Sequence, residues 1–564
     1  MEFHRRDAKP QWWNSFARQE KLEDDLLDDN ECIACMRLQG KPKPGLYAYR
    51  FPSQEYKIKV HDTVVDVTDM QVAGKIIALD DRDCTLQIQR SASKPPLPDY
   101  MHIGPEGPYN TGIIRNALYR FADSILADPQ RKRAGREIMR RSLPRIAGKQ
   151  PGAPIITSAD MLDESIEAVA GLQDSYLFIQ GPPGTGKTYA SSRIIVELIS
   201  RGYKVGVSSN SHKAIHNILQ QVEKIAGETG TDFTGIKKST AGAIESVFNG
   251  IYIRSVDSKN AVPPNCALYA GTAWLFTDPM FDGLLDFLFI DEAGQVALAN
   301  VIAMSLAAKN IVLVGDQMQL AQPVQGVHPE ESGTSVLEYL LRDAATIPPE
   351  MGIFLSETWR MAPGVCGFVS ETFYDGRLTA RPDTALRRLA PPETDNAMFS
   401  DGIVFVEAKH HQCGQRSREE GEIVQRLYQH MLSKTFHDGK HGRVLTSQDI
   451  LIVSPYNMQV NLLQSLLPEA KVGTVDKFQG QEAPVVIFSM TTSSAKDLSR
   501  NMEFLFSRNR LNVAISRAQC LAVVVASPLL AEFPCRTVAQ MRLVNTFCRL
   551  YEETDRPQAC HNPG

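Results

Sequence analysis

Long hydrophobic runs are missing from this sequence. No stretch of about 18 apolar residues occurs in the 564, so no membrane-spanning helix is expected. The N-terminal segment, MEFHRRDAKPQWWNSF, lacks the apolar core of a secretory signal. Cysteine is sparse: ten are scattered along the chain without a disulfide framework, which fits a reducing compartment, the cytoplasm. Cys32 and Cys35 make one CxxC, but structural zinc needs four ligands and no second pair stands at ribbon spacing. Excess positive charge is also missing. The formal net charge is −5, whereas a sequence-blind binder of duplex is usually basic. Tracking of a single strand stays open, because local basic residues, backbone amides and base stacking can replace a global positive field. There is no short-period repeat and no low-complexity tract.

Hydrophobic residues make up 43% of the chain and charged residues 22%, the balance of a folded globular protein. Length alone suggests about three or four domains. Residues 12–40 read as a polar, acidic helix ending near Gly40. The runs LYAYRF, YKIKV, TVVDVTD, VAGKIIALD and CTLQIQR then alternate with period two between close turns, which predicts a small β-barrel. Tyr47, Tyr49 and Phe51 alternate along one of these runs, as core aromatics do, although such rings can also stack bases. A helical pattern from about Gly112 to Arg141 closes this unit. From about Ser175, continuous apolar runs (SYLFIQ, KVGVSS, ALYAGT, FLFIDEA, NIVLVGD) alternate with amphipathic helices, and a second such series (GIVFVEA, DILIVSP, PVVIFSM, LAVVVAS) follows Pro348. That alternation predicts an α/β fold with two parallel sheets covered on both faces. The expected organisation is an accessory stalk and barrel over 1–150, a first α/β domain over 151–347 and a second over 348–564.

The densest chemical signal is Gly181-Pro182-Pro183-Gly184-Thr185-Gly186-Lys187-Thr188, a complete P-loop between a strand and a helix. Its glycines let successive backbone N–H groups curl round phosphates at a helix N-terminus, Lys187 neutralises phosphate charge, and the Thr188 hydroxyl suits magnesium. ATP with magnesium is therefore the expected cofactor. Asp291 and Glu292 end the strand FLFIDEA at the same edge of the sheet, Asp291 as the second-sphere or direct magnesium partner and Glu292 as the base for an attacking water.

Further motifs follow in order: Gly315-Asp-Gln-Met-Gln319-Leu320; Ser356-Glu-Thr-Trp359-Arg360-Met361, trailed by Phe373-Tyr374; Ser454-Pro455-Tyr456-Asn-Met-Gln459; Gly473-Thr474-Val475-Asp476 through Phe478-Gln-Gly480-Gln-Glu482; and Arg510-Leu-Asn512-Val-Ala-Ile-Ser516-Arg517. In kind and order this set resembles superfamily 1 helicases with an AAA-type P-loop. The nearest branch holds the nonsense-mediated-decay RNA helicase and the flap-processing nuclease–helicase. The resemblance runs from about Ser175 to Ser527 and implies two tandem RecA-like domains.

The resemblance implies that Gln319 senses the γ-phosphate and that Arg360 and Arg517 reach across from the second domain as arginine fingers. Trp359 stands where the branch has tyrosine; it can stack on adenine or sit in a core. Gly480 belongs to the nucleotide-binding set, and Glu482 resembles the residue that holds the ribose. Ser417-Arg-Glu-Glu420-Gly resembles the branch's Asn-x-x-Glu-Ala helix start and reads equally as a capping box. The adenine-reading glutamine is not evident; SADMLDESIEAVAGL offers Asp, Glu and Ser. Strand contacts are expected at Ser209, Asn210, Ser211, Lys213, Gly271 and Thr272 in the first domain, and at Pro455, Tyr456, Thr474 and Val475 in the second. Such Ser/Thr turns also serve as plain helix N-caps. The resemblance implies a monomeric, ATP-driven 5′-to-3′ motor on single-stranded DNA or RNA. An ATP-gated clamp shares every motif. With no nuclease motif found, any nuclease is expected to act in trans.

Overall fold

The computed structural model describes residues 2–555 apart from 28, 41–43, 53, 55, 82, 108–109, 129–131, 159, 242, 323, 391–399, 479 and 499–501. Helix α1 (Phe3–Gln19) opens the chain, and six antiparallel strands close into a barrel: β1 (Ile33–Leu38), β2 (Leu46–Arg50), β3 (Thr63–Asp66), β4 (Val72–Asp80), β5 (Thr85–Gln89) and β6 (Tyr100–Pro105). Their order is β1-β2-β5-β4-β3-β6, so every strand has two neighbours and no edge is left unpaired. Tyr47, Tyr49 and Phe51 pack inside with Ile33, Met36 and Ile88, as core and not as a stacking surface.

Two expectations change here. Residues 12–40 are not one helix: α1 starts earlier and ends at Gln19, a short helix covers Glu23–Leu27, and IACMRL is barrel strand β1. Pairing with β2 and β6, and burial of Ile33 and Met36, override the local helical signal. YKIKV is no strand either; Ile58 is buried in the barrel core and Tyr56 packs partly against it. After the barrel, the helices Gly112–Ala127 and Arg133–Arg140 return to the first lobe, where Phe121 and Ile138 join its core.

The first lobe is built on β7 (Tyr176–Gln180), β8 (Val205–Ser208), β9 (Gly235–Lys238), β10 (Ile253–Val256), β11 (Leu268–Ala270), β12 (Leu285–Ile290), β13 (Ala308–Gly315) and β14 (Gly352–Phe354). They form one parallel sheet in the order β10-β9-β11-β8-β12-β13-β7-β14. Helices Lys187–Ser200 and His212–Thr229 bury their apolar stripes on one face, and a second core covers the other, which is why the strands read as unbroken apolar runs. Strand β14, just past residue 348, returns to pair with β7 before the chain crosses over.

Beyond it, β15 (Glu357–Thr358) pairs with β16 (Thr379–Ala380), and β17 (Arg388–Ala390) precedes β18 (Gly402–Glu407). β19 (Thr435–His437) and β20 (Gly442–Val444) add to β17. β21 (Ile450–Val453), β22 (Lys471–Gly473), β23 (Ala483–Ser489) and β24 (Ala518–Ala526) complete a second parallel sheet, ordered β18-β24-β23-β21-β22. The molecule is thus two tandem RecA-like α/β lobes with an N-terminal helix and barrel. Among the described residues no helix is long and apolar enough to cross a membrane.

Candidate nucleotide site and strand face

Strand β7 delivers Gly181–Gly186 to the sheet edge at which β12 ends in Asp291-Glu292 and β13 in Gly315-Asp316. The Gly181 N–H donates to the Gly315 carbonyl (3.0 Å), which ties the loop to the neighbouring strand. Gly184 and Gly186 have φ of +76° and +79°, a region that favours glycine. Lys187 folds back so that its ammonium donates to the Gly181 and Pro182 carbonyls. Burial lowers its pKa, while Asp316, Glu292 and Asp291 act to raise it. Asp291 is pushed up to about 7, first by burial and then by repulsion from Glu292. Glu292 itself has φ +51°, an uncommon conformation for a side-chain-bearing residue and one that clusters at functional sites.

The second lobe meets this edge directly. Trp359 N–H donates to the Gly184 carbonyl (2.9 Å), and the Thr358 hydroxyl donates to the Pro183 carbonyl (3.0 Å). A Cβ at Gly184 would lie 2.4 Å from Arg360 Cβ, so the motif after β15 lies against the P-loop. Arg360 reaches Glu482 through Nε and the Ser516 carbonyl through Nη1 (3.2 Å). Arg517 is 3% exposed. It donates only Nη1, to the Gln481 carbonyl (3.3 Å), and its Nε and Nη2 have no partner among the described residues. Burial, and then repulsion from Arg360, lower it to about 10, so it remains a cation at neutral pH; Glu292 and Glu482 pull the other way. A buried guanidinium with two unpaired donors, close enough to Glu292 and Arg360 to feel their charges, is chemically fitted to a phosphate.

Gln319 and Asp316 are joined, Nε2 to Oδ2 at 3.0 Å. The same Asp316 oxygen accepts the Tyr374 hydroxyl at 2.6 Å, and Asn512 donates to that hydroxyl at 2.8 Å. Tyr374 caps the helix Pro363–Phe373 and Asn512 lies in the helix Arg508–Ile515, so this buried chain links the lobes beside the phosphate loop. Neither residue was assigned a role from sequence. Tyr374 and Asn512 stand inside the family motifs, yet their spacing cannot show that they meet.

Other expected residues fall as follows. Trp359 is 54% exposed with the Arg381 guanidinium 3.6 Å over its ring, a surface platform and not a core residue. Glu482 also accepts from Gln519 (2.9 Å), so its carboxylate is already shared in this state. Ser417 caps its helix by accepting the Glu420 N–H, but the reciprocal half of a capping box is absent, because Ser417 N–H goes to Gln459. The buried Glu420 carboxylate instead binds His410, Ser489 and the Thr491 N–H. Glu164, in the stretch where the adenine reader was sought, accepts from Lys149, Thr157 and Ser158 and is a structural brace. Cys32 is buried with its thiol pushed up to about 12 by desolvation, the surroundings of a packing residue.

On the strand face, Asn210 and Thr272 line a cleft of about 640 Å³ with His212, Lys238, Lys259 and Trp274. Trp274 is 42% exposed, and its indole N–H donates to the Asn110 carbonyl (3.1 Å), which fixes the ring at the cleft wall. Sequence reading passed over it because Trp-Leu-Phe after a turn resembles core. Ser211 does cap the helix His212–Thr229, accepting from Ala214 N–H, as a plain N-cap. Ser209 is buried with an unpartnered hydroxyl, and Lys213 is exposed. Gly271 packs against Leu275, leaving no room for a side chain. In the second lobe Pro455, Tyr456 and Val475 are buried; of the four residues expected there, only Thr474 reaches the surface.

A family model described as an AAA domain matches residues 163–330, and a second, also described as an AAA domain, matches 333–528. The DNA replication ATP-dependent helicase/nuclease JHS1 of Arabidopsis thaliana is 27% identical over 375 residues, 62% of this chain and 27% of its own length. The DNA polymerase alpha-associated DNA helicase A of Schizosaccharomyces pombe is 28% identical over 405 residues, 60% of this chain and 59% of its own. The DNA-binding protein SMUBP-2 of Mesocricetus auratus is 24% identical over 437 residues, 65% of this chain and 43% of its own. The chain thus spans between 27% and 59% of the length of these relatives. Taken with the P-loop and the ordered motifs on two lobes, these matches show that the chain belongs to the superfamily 1 helicases, in the branch of JHS1 and SMUBP-2.

Proposed function

We propose that this chain is an ATP-dependent translocase that moves along one nucleic-acid strand and unwinds duplex ahead of it. The observation that carries this reading is the seam between lobes, where Arg360 lies against the Gly184 turn and the neighbouring buried Arg517 keeps two unpartnered donors. A first-lobe P-loop closed by second-lobe cations couples nucleotide binding to lobe closure, and such coupling is what a motor needs.

ATP with magnesium, when bound, supplies a phosphoryl group for transfer to water. The residues present suit that pair: loop amides and Lys187 for the phosphates, the Thr188 hydroxyl and Asp291 for the metal. Magnesium needs few protein ligands when phosphates and water complete its shell. Glu292 takes the proton from the attacking water. Arg360 and Arg517 stabilise charge on the γ-phosphate, an effect worth roughly 10³–10⁵ in rate for such cations. Trp359 offers its exposed face to the base, and Gln319 passes the state of the phosphate through Asp316 to Tyr374 and Asn512. The strand lies in the first-lobe cleft, where Trp274 offers a stacking face and Lys238 and Lys259 supply charge, with exposed Lys213 next to the cleft residue His212 in sequence.

The relatives' names support DNA as the track, and the family resemblance supports 5′-to-3′ travel. The motor works as a monomer, and the helicase/nuclease names among relatives support its working together with a nuclease activity. Nine free cysteines among the described residues support the reducing cytoplasm. The test is ATP hydrolysis with and without matched single-stranded DNA and RNA, together with strand displacement on tailed duplexes. Stimulation with displacement supports the motor. Stimulation without displacement identifies an ATP-gated clamp, and no stimulation by either strand overturns the reading.

A further inference from the structure

The N-terminal helix presents an inverted surface. Its buried face holds Phe3, His4, Ser15 and Arg18, while Trp12, Trp13 and Phe16 are 54%, 69% and 47% exposed. At about 100° per residue, these three aromatics share one stripe with Arg5, Arg6 and Lys9, all exposed. Trp12 and Phe16 stack on each other at 5.7 Å, so the stripe is already ordered. Lys9 has no ion pair among the described residues, Arg5 pairs only with exposed Glu2 (3.6 Å), and Asp7 is turned away to hold two backbone N–H groups. Acidic groups gather only past the helix end, from Glu20. A run of cations beside stacked, solvent-facing rings suits the phosphates and bases of a single strand. It suits an anionic membrane less well, because the exposed stripe contains no Leu, Ile or Val.

The position of the helix supports the same occupant. The indole of Trp274, at the wall of the strand cleft, is bonded to Asn110, and Asn110 also lines a second cleft of about 750 Å³ between α1 and the barrel. Gln11, Ser15 and Arg18 of α1 form part of that wall, and Trp12 follows Gln11 in the same helix. The helix is held at both ends. Arg18 bonds Asp29 (2.9 Å) and Glu31 (2.6 Å) on the barrel side. Asp7 accepts the Gln325 and Gly326 N–H groups at 2.8 and 2.9 Å, in the segment that follows Gln319. Pro10 has no N–H to offer the Arg6 carbonyl, and Gly326 packs against that carbonyl so closely that a Cβ would lie 2.4 Å from it.

Resting on the motor reading above, we propose that the exposed stripe of α1 is a second single-strand binding surface, continuing the track beyond the first-lobe cleft and tied to the segment after Gln319. The experiment uses the full chain and fluorescent oligonucleotides of two lengths, one filling the motor cleft alone and one long enough to reach α1. Replacing Trp12, Trp13 and Phe16 together by alanine is expected to weaken the long oligonucleotide by about tenfold or more, since each stacked base contributes severalfold or more, while the short one binds as before. R5E/K9E is expected to weaken the long one and to flatten its salt dependence. The fluorescence of Trp12 and Trp13, isolated by difference against W12F/W13F, is expected to be quenched by the long oligonucleotide only. Equal binding of the long oligonucleotide by wild type and the triple variant overturns the proposal and leaves the motor reading intact. So does a tryptophan signal that responds to anionic vesicles and not to the strand. Failure of both lengths to bind wild type overturns the motor reading itself.

Discussion

At Arg517 burial and charge repulsion act together on a guanidinium that lacks two of its hydrogen bonds. A merely structural arginine in such surroundings would be a net cost, since unpaired buried charge is destabilising. Arg517→Ala is therefore expected to keep or raise the melting temperature of the nucleotide-free protein while lowering kcat for ATP hydrolysis by about 10³-fold or more. A lower melting temperature with unchanged kcat would refute the assignment. His212 gives a residue-scale test of the strand cleft. Burial, and then the neighbouring Lys237 charge, lower it to about 4, so it is neutral throughout the physiological range. Its folded pKa lies below the ordinary value of 6.5, so the unfolded chain takes up the extra proton first; His212 costs stability progressively as pH falls from about 6.5 toward 4. Above that window it adds no charge to the cleft. The slope of log affinity against log salt for single strands is accordingly expected to be the same at pH 7.5 and pH 6.5. A protonated histidine on a phosphate would steepen it by about one unit.

Two of the contacts between lobes each have a substitution that isolates them. The Gly184 turn has no room for a methyl group, which would lie 2.4 Å from Arg360 Cβ and 2.6 Å from the Thr358 hydroxyl at a φ of +76°. Gly184→Ala is expected to destabilise the chain by about 1–3 kcal/mol, the usual cost of a forced backbone and overpacking. It should also weaken nucleotide binding, measured by a fluorescent ATP analogue; normal binding would mean that the turn has slack. The helix ending at Tyr374 is the second contact. Tyr374→Phe keeps the ring and removes the hydroxyl between Asp316 and Asn512. A loss of about 1–3 kcal/mol in stability follows from the unpaired groups left behind. The informative readout is the ratio of strand-stimulated to basal hydrolysis, which should fall if this chain of bonds carries the signal and stay constant if it only packs.

For the whole molecule the claim is that one nucleotide touches both lobes. A non-hydrolysable ATP analogue should slow hydrogen exchange at residues 181–188 in the first lobe and at 359–361, 481–482 and 516–517 in the second. At 100 times its dissociation constant it should stabilise the fold by about 2.7 kcal/mol. In Lys187→Ala both effects should vanish together. Exchange slowed in the first lobe alone would mean that the cleft does not close.

The sequence by itself determined the two parallel sheets, the barrel and the nucleotide loop. Those rest on local patterns: apolar runs of strand length, period-two alternation, and a glycine spacing that only one kind of turn uses. Even there, local pattern misled at IACMRL, where pairing with β2 and β6 overrode a helical reading. Only the tertiary structure decided which groups meet across long separations. Arg517 comes to lie beside Glu292 and Arg360, Tyr374 beside Asp316, and Trp274 beside Asn110, because lobe packing sets those distances and sequence spacing does not. It also decided that Trp359 is a surface platform and Glu420 a buried brace, since burial is a property of the assembled lobes and not of any short segment.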